Sequence, residues 1–553
     1  MTNVKIDSPK RFDNFWLIGC LLAILLCVIG TRNITRPFTG LHSWAQANGA
    51  WSGRTHVAYG LGYTKGIRTF AVGQPPTETP KRYWDHPQLG GLMAAAAMKI
   101  FGINESSMRI TDLMTGLGSL FLFLLILRGL FSDDRTVILS ALLLVLFPLI
   151  GYFGMGGWAN LAIFANIYFY LICIKGLIDG PEPKLWHRVA LGACLFLSLQ
   201  LSWLSFFYAF AIGSHYVLGC VFKKRRPDWP LLCILFFAPV ASILITFIIM
   251  AGGYNWDVNK IVELYKWRSA KGEMQQMQSF DWGAWFSKLW QYSVEDFTKP
   301  LLILSMAYLT IGQLFVFMET SKDPISRRRS KQFPTPWLLI FPAILFFMLL
   351  RGLVWRHQYW LRPLAMPLAI STTLAILMIG DFTKRINKKV GTAVIVLLFV
   401  FIAGFCLVGT NHFHSVRWQP QAKINMFKKL NEVVPADKKL LSFEDFIVNQ
   451  HSSKGGFIRP EIAWYLDREI DTARSLEEIQ QKARTGKYPY YLMPLAYYDK
   501  KTTQYLNQLS NQLRSTYKFE YVAGAAGEQT KDGKFLKAGM NPYMIFDLSR
   551  KIK

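Results

Sequence analysis

Lys81, Arg82, Tyr83, Asp85 and His86 stand together just before Pro87 and the apolar run Leu89–Phe101. Proline suits the first turn of a helix, and a helix N-terminus flanked by cations attracts anions. A carboxylate and an imidazole are side chains that move protons. The plainer alternative is a helix start with interfacial charges. Upstream, His42, Trp44 and Gln46 alternate with small residues and Arg54 follows; an interfacial helix with aromatic anchors would read the same way. Downstream, Glu105 and Arg109 are four apart, so they share a helical face as binding groups or as an ion pair. Much later, "WRHQYWLRP" sets Arg356, His357, Tyr359 and Arg362 at the edge of an apolar run. Arginine forks match phosphate and aromatic faces match sugar rings, whereas an aromatic belt with snorkelling arginines is the simpler account. The candidates for proton transfer are therefore Asp85, His42 and His86. Those for binding are Trp44, Gln46, Arg54, Lys81, Arg82, Tyr83, Glu105, Arg109, Arg356, His357 and Tyr359.

These residues need a scaffold, and the chain supplies long apolar runs. They are Phe15–Gly30, Leu117–Leu127, Val137–Phe153, Leu231–Ala251, Trp337–Leu350, Leu364–Gly380 and Val390–Thr410. About 20 apolar residues cross a bilayer core, and runs without polar alternation exclude barrel strands. The sequence thus predicts a polytopic α-helical membrane protein of about 11 spans by the length rule. The first run is read as an uncleaved span, because no small-x-small site follows it. The run Val189–Phe222 suits neither one helix nor two full spans, and splits best near Ser202-Trp203 into two short helices.

The formal net charge is +27. Clusters at Lys223–Arg226, at Arg327–Arg329 with Lys331, and at Lys384, Arg385, Lys388 and Lys389 mark cytoplasmic loops rather than a nucleic-acid face. This puts the N-terminus in the cytoplasm and the C-terminus outside. Residues 31–107 form a long first outer loop and 252–299 a second. All 7 cysteines lie in apolar runs, with no disulfide framework and no zinc spacing. The predicted domains are a membrane domain over 1–410 and a small extracytoplasmic α/β domain over 411–553. In the latter, "KKLLSFED", "YPYYLMPL" and "YMIFDLS" read as strands, and Ser475 with Glu478 has capping-box spacing.

The ordered motifs carry a resemblance. His42-Ser43-Trp44-Ala45-Gln46 in a long first loop comes first, then Tyr83 with His86-Pro87-Gln88-Leu89, then Phe101-Gly102 with Glu105 and Arg109. His357-Gln358-Tyr359 before a span completes the series. The chain resembles the GT-C integral-membrane glycosyltransferases of the family 39 type, which include protein O-mannosyltransferases and lipid A aminoarabinose transferases. The resemblance covers the membrane part and, more loosely, the C-terminal domain. It implies inverting transfer of a sugar from a polyprenyl-phosphate donor to a lipid, glycan or protein acceptor, on the outer face of the plasma (inner) membrane of the cell envelope. An acid in the first loop would be the base. This chain departs there, since no Asp or Glu occurs between Asp13 and Glu78. Asp85 is the best substitute, with His42 or His86 as alternates; His86, Lys81 and Arg82 would then meet the lipid phosphate. No cofactor is expected: Asp85, His86 and Glu105 could hold a divalent metal, but their spacing does not demand one. The partners implied are the lipid-linked donor, the acceptor and membrane lipids, with no nucleic acid. The rivals are a membrane transporter or flippase, and an oligosaccharide ligase of the same architecture. The first is disfavoured by the lack of an internal repeat and by charges confined to span ends.

Overall fold

The computed structural model describes residues 15–76, 78, 80–84, 86–131, 133–154, 157–179, 183–222, 226–266, 281–312, 335–416, 421–443, 460–494, 500–523 and 543–552. These fall into two compact units. One holds Met1–Ile34, Trp84–Gly90 and Arg109–His414. The other holds Thr35–Tyr83, Gly91–Met108 and Ser415–Lys553. The composition boundary near residue 410 therefore sits close to a contact boundary, but most of the first loop packs with the C-terminal segment.

The first unit is a helical bundle, and the protein is a polytopic membrane protein. Among the described residues, seven helices are long and apolar enough to cross a bilayer, and four shorter apolar helices accompany them. Helices Phe15–Gly30, Trp229–Gly253 and Lys388–Ser415 track the predicted runs closely. Asp228 caps the second of these, accepting from the Leu231 N–H at 2.8 Å. The run Val137–Phe153 is instead two helices, Asp134–Leu146 and Pro148–Phe153. Pro148 has no N–H to continue the ladder, so the chain breaks at Phe147 and restarts with proline in its first turn. The predicted break at Ser202 is present, but the second of the two helices is long enough to cross a bilayer rather than short. Helices Leu185–Leu201 and Leu204–Phe222 meet at Ser202, whose backbone is extended and whose hydroxyl accepts from the Leu204 N–H at 3.2 Å. Polar side chains between helices find partners, as apolar surroundings require: Asn166 donates to Ser198 Oγ at 2.9 Å and Gln200 to Ser242 Oγ at 2.8 Å.

The second unit combines helices Ser43–Thr64 and Leu89–Phe101, a ribbon of β1 (Thr69–Phe70) with β2 (Lys81–Arg82), and a five-stranded sheet. The sheet comprises β3 (Leu440–Ser442), β4 (Ile470–Thr472), β5 (Tyr490–Pro494), β6 (Tyr517–Ala523) and β7 (Tyr543–Lys551), in the order β4-β3-β5-β7-β6. β3 pairs parallel with β4 and β5, and β7 pairs antiparallel with β5 and β6. β3, β5 and β7 are the strands predicted; β4 and β6 are additional. One hydrophobic core joins Phe38, Ala47, Ala50 and Met98 of the first loop to Ile424, Phe427, Tyr465, Leu492 and Ile545 of the C-terminal segment. The two loop helices touch through backbone. A Cβ on Gly53 would lie 3.0 Å from Ala94 Cβ and 3.1 Å from its carbonyl carbon, so only small residues permit the crossing. The Ser475 cap forms as its spacing predicted, accepting from the Glu478 N–H at 3.2 Å. The Glu478 carboxylate returns to the Arg474 N–H at 2.7 Å.

Candidate functional site

In the helical unit, the first turns of helix Glu105–Leu130 carry Arg109 and Asp112. Arg109 donates to the Ile34 carbonyl at 3.1 Å. Asp112 lies within Coulombic reach of both Arg362 and Arg109. Gly157, at φ +64, makes room for its carboxylate: a Cβ there would sit 3.0 Å from Asp112 Oδ1. Arg362 belongs to the tight turn Gln358–Leu364. It donates to the Phe153 carbonyl at 3.2 Å and lies 5.8 Å from the ring centres of Phe153 and Tyr359. Tyr359 in turn stacks on His357 at 5.4 Å and 9°. Arg362 also borders, with Asn160, a cavity of about 20 Å³, room for a water molecule.

Asp296, fully buried in the last turn of helix Trp282–Phe297, also lies within Coulombic reach of Arg362. The Gln358 amide donates to Asp296 Oδ1 at 2.8 Å and to Glu295 Oε2 at 3.0 Å. Burial holds the Asp296 carboxyl well above the usual carboxylate range. The Gln358 hydrogen bond and Arg362 oppose this, while Glu295 adds to it. Nearby, Arg32 donates to Asn411 at 2.7 Å and Asn33 meets His414 at 2.7 Å, fastening the end of the first helix to the last one. This end of the bundle thus sets two arginines among two aspartates beside stacked aromatics. Such a set can hold an anion and offer a carboxylate to a proton donor.

The loop-and-sheet unit holds the remaining candidates. His42 precedes helix Ser43–Thr64 with a left-handed φ of 50, and burial lowers its pKa to about 4. Trp44 and Gln46 follow it, half-buried. Arg54 is tightly engaged. It donates to the carbonyls of Trp464 and Ala463 at 2.8 Å each, pairs with Asp467 at 3.0 Å and lies 5.2 Å from the Trp464 ring centre. It thereby caps the C-terminal end of helix Pro460–Leu466. Arg82 donates to the Tyr63 carbonyl at 3.0 Å. The Tyr83 N–H donates to the Arg68 carbonyl at 2.8 Å, with the Arg68 guanidinium 5.7 Å from the Tyr83 ring centre. Glu105 accepts from the Tyr465 hydroxyl at 2.9 Å, and Lys428 lies 3.9 Å away. Lys81 pairs with Phe70 in the ribbon. In the helical unit, the carbonyl of the half-buried His86 accepts from the Gln88 amide at 2.6 Å. Asp85 and the Arg356 side chain lie outside the described residues.

Several polar residues escaped the sequence reading. Asp112 had a signal, an acid inside an apolar helix; Asp296 and Glu295 read as ordinary loop charges. His56 is another. Its Nδ1 meets Thr64 Oγ1 at 2.8 Å, and that hydroxyl donates to the Gly60 carbonyl at 3.1 Å. Burial, and secondarily Arg68, lower the pKa of His56 to about 4. Nε2 and Ser52 Oγ, both buried, have no hydrogen-bond partner among the described residues. Among those residues, no group of three or more His, Cys, Asp or Glu is placed to hold a metal ion.

Comparison with solved structures decides the fold. ArnT from Cupriavidus metallidurans, bound to undecaprenyl phosphate, matches with a TM-score of 0.54 at 12% identity, over 97% of this chain and 98% of that one. This is the GT-C fold. The apo oligosaccharyltransferase of Archaeoglobus fulgidus matches at 0.51 and 12% identity, over 94% of this chain and 75% of that one. The mycobacterial arabinofuranosyltransferase AftD matches at 0.51 and 10% identity, over 97% of this chain but only 40% of its own length. No family model and no curated protein sequence matches the chain. The GT-C likeness is therefore one of fold, and it takes in nearly the whole chain.

Proposed function

We propose that this protein is a glycosyltransferase that moves a sugar from a polyprenyl-phosphate donor to an acceptor hydroxyl, with inversion, at the outer face of the plasma membrane. The N-terminus lies in the cytoplasm and the C-terminus outside. The observation that carries this reading is the Arg109–Asp112–Arg362 array at one end of a GT-C bundle. The same fold in Cupriavidus ArnT holds undecaprenyl phosphate. Asp85 is assigned as the base, with His42 or His86 as alternates. It removes the acceptor proton as the acceptor oxygen bonds to the anomeric carbon. The bond from that carbon to the phosphate oxygen breaks, and its electron pair leaves with the phosphate. Arg362 and Arg109 neutralise that charge, and stacked His357 and Tyr359 offer faces to the sugar. The steps need only a base and fixed cations. The likeness to the Archaeoglobus oligosaccharyltransferase favours one second reading, transfer of a whole oligosaccharide from a lipid donor.

The test is sugar transfer by purified protein supplied with an undecaprenyl-phosphate-linked sugar. Arg362→Ala should lower turnover at least about a hundredfold, the usual scale for losing one charge-stabilising donor. Asp85→Asn should lower it at least as far. Full activity in a folded Asp85→Asn protein removes Asp85 as base. Activity only with an oligosaccharide donor selects the second reading.

A further inference from the structure

The stretch Glu295–Thr298 is built against the ordinary rules of stability. Asp296 is a carboxyl with no exposed surface, in the last turn of its helix. There the helix dipole disfavours negative charge. Glu295, a second acid, is its neighbour. Thr298 then leaves the helix at φ +67, a left-handed conformation that a β-branched residue rarely adopts. Asp296 Oδ2 is buried with no hydrogen-bond partner among the described residues. Strain and desolvation gathered at one short segment mark a position retained for function rather than for stability.

Asp296 touches one segment that matters. Through Oδ1 it holds the Gln358 amide, the first residue of the turn that carries Arg362 four positions on. Arg362 itself lies within Coulombic reach of both Asp112 and Asp296. We infer that Asp296 is a positioning residue for Arg362: it pins the Gln358–Leu364 turn and sets how much of the arginine's charge is left for an anionic ligand. This deepens the proposed function and rests on its reading of Arg362 as the group that meets the lipid phosphate.

The charged and titratable groups around Asp296 define the behaviour. Glu295 and Tyr292 lie on its own helix, and Arg362 faces it from the turn. His357 adjoins Gln358, Asp112 acts on Arg362 as well, and Cys406 borders Thr298. Burial keeps the Asp296 carboxyl protonated beyond the normal range, so in the neutral state it leaves Arg362 free to bind an anion. As pH rises and Asp296 ionises, its new charge pairs with Arg362 and competes with the ligand.

The experiment is equilibrium binding of undecaprenyl phosphate to the full-length protein, followed upward in pH from the usual carboxylate range to the alkaline limit at which the protein stays folded. The phosphate's own second ionisation, with a pKa of about 6, is common to wild type and variants, so the measure is wild type against Asp296→Asn: wild type should lose about tenfold more affinity toward the alkaline end, the scale of one added charge at a partly screened site. Asp296→Asn, isosteric with the protonated acid, should flatten that dependence. Asp296→Ala, which strips Gln358 of its partner, should weaken binding about tenfold or more at all pH values. In an Arg362→Ala background, the Asp296 substitutions should change nothing further. An undiminished alkaline loss in Asp296→Asn overturns the inference, as does normal binding by Asp296→Ala or a full effect without Arg362. Each of these leaves the donor assignment standing. Wild type that binds no undecaprenyl phosphate at any pH removes the donor reading, and the role of Asp296 with it.

Discussion

Arg54 separates two roles that its sequence context leaves open, ligand binding and structural clamping. Its guanidinium meets two carbonyls at 2.8 Å, a carboxylate at 3.0 Å and an indole ring centre at 5.2 Å. Arg54→Ala would leave the Trp464 and Ala463 carbonyls without this donor and Asp467 without its cation. Hydrogen bonds to a charged group contribute about 1.5–3 kcal/mol each. Asp467 is partly exposed, which discounts its share. Breaking such a buried cluster from one side costs about 3–5 kcal/mol. The loss is local to helix Pro460–Leu466, so hydrogen exchange across that helix is the assay. At the lower bound of about 3 kcal/mol, its slowest amides should exchange about a hundredfold faster in the variant. Arg54→Lys keeps the charge but not the fork, and should restore less than half of the protection in free-energy terms. Exchange within about fivefold of wild type, together with a large rise in KM for a sugar donor, would refute the clamp and return Arg54 to the binding set.

Other outcomes follow from the same unit. Gly91→Ala places a Cβ 2.9 Å from Arg68 Cγ, 3.0 Å from Ser52 Oγ and 3.4 Å from His56 Nε2. Overpacking of this kind costs about 1–3 kcal/mol, and adding Ser52→Ala should recover part of it in thermal unfolding. His42 and His56 both have folded pKa values lowered from 6.5 to about 4. Between those values the unfolded chain binds protons that the folded one does not, so stability falls as pH drops from 6.5 toward about 4. A His42→Gln, His56→Gln double variant should show a flatter unfolding midpoint across that window.

The membrane scaffold was legible because hydrophobic length is a direct physical requirement of the bilayer, and the break at Ser202 followed from counting residues against charge. Pro148 interrupts a run that hydropathy alone reads as continuous. In the sheet, β7 reads in the sequence as an alternating segment but is buried along Tyr543–Leu548 without alternation, as an inner strand should be. β4 has a single apolar residue, Ile470, where the equally short β3 has two, so it does not signal itself. β6 shows alternating Tyr517, Phe519 and Tyr521, the period of a half-buried strand. The candidate site was harder. Motif order pointed to His357 and Tyr359, and the turn that contains Tyr359 also delivers Arg362. Asp112 and Asp296 both come within Coulombic reach of that arginine from positions 184 residues apart; no local spacing announces such a meeting. Asp296 sits among ordinary-looking charges, and only its depth in the fold sets it apart.

The core shared by Phe38 and Ile545 has a consequence for synthesis. The two residues are 507 positions apart. At ribosomal speeds of about 5–20 residues per second, roughly half a minute to two minutes pass between their appearances. Throughout that interval the early loop is a greasy half-surface with its mate still unmade. A chaperone or the lipid headgroup layer must shield it meanwhile. A nascent chain stopped short of the last strands should therefore be cleared by proteases rather than linger as a working fragment.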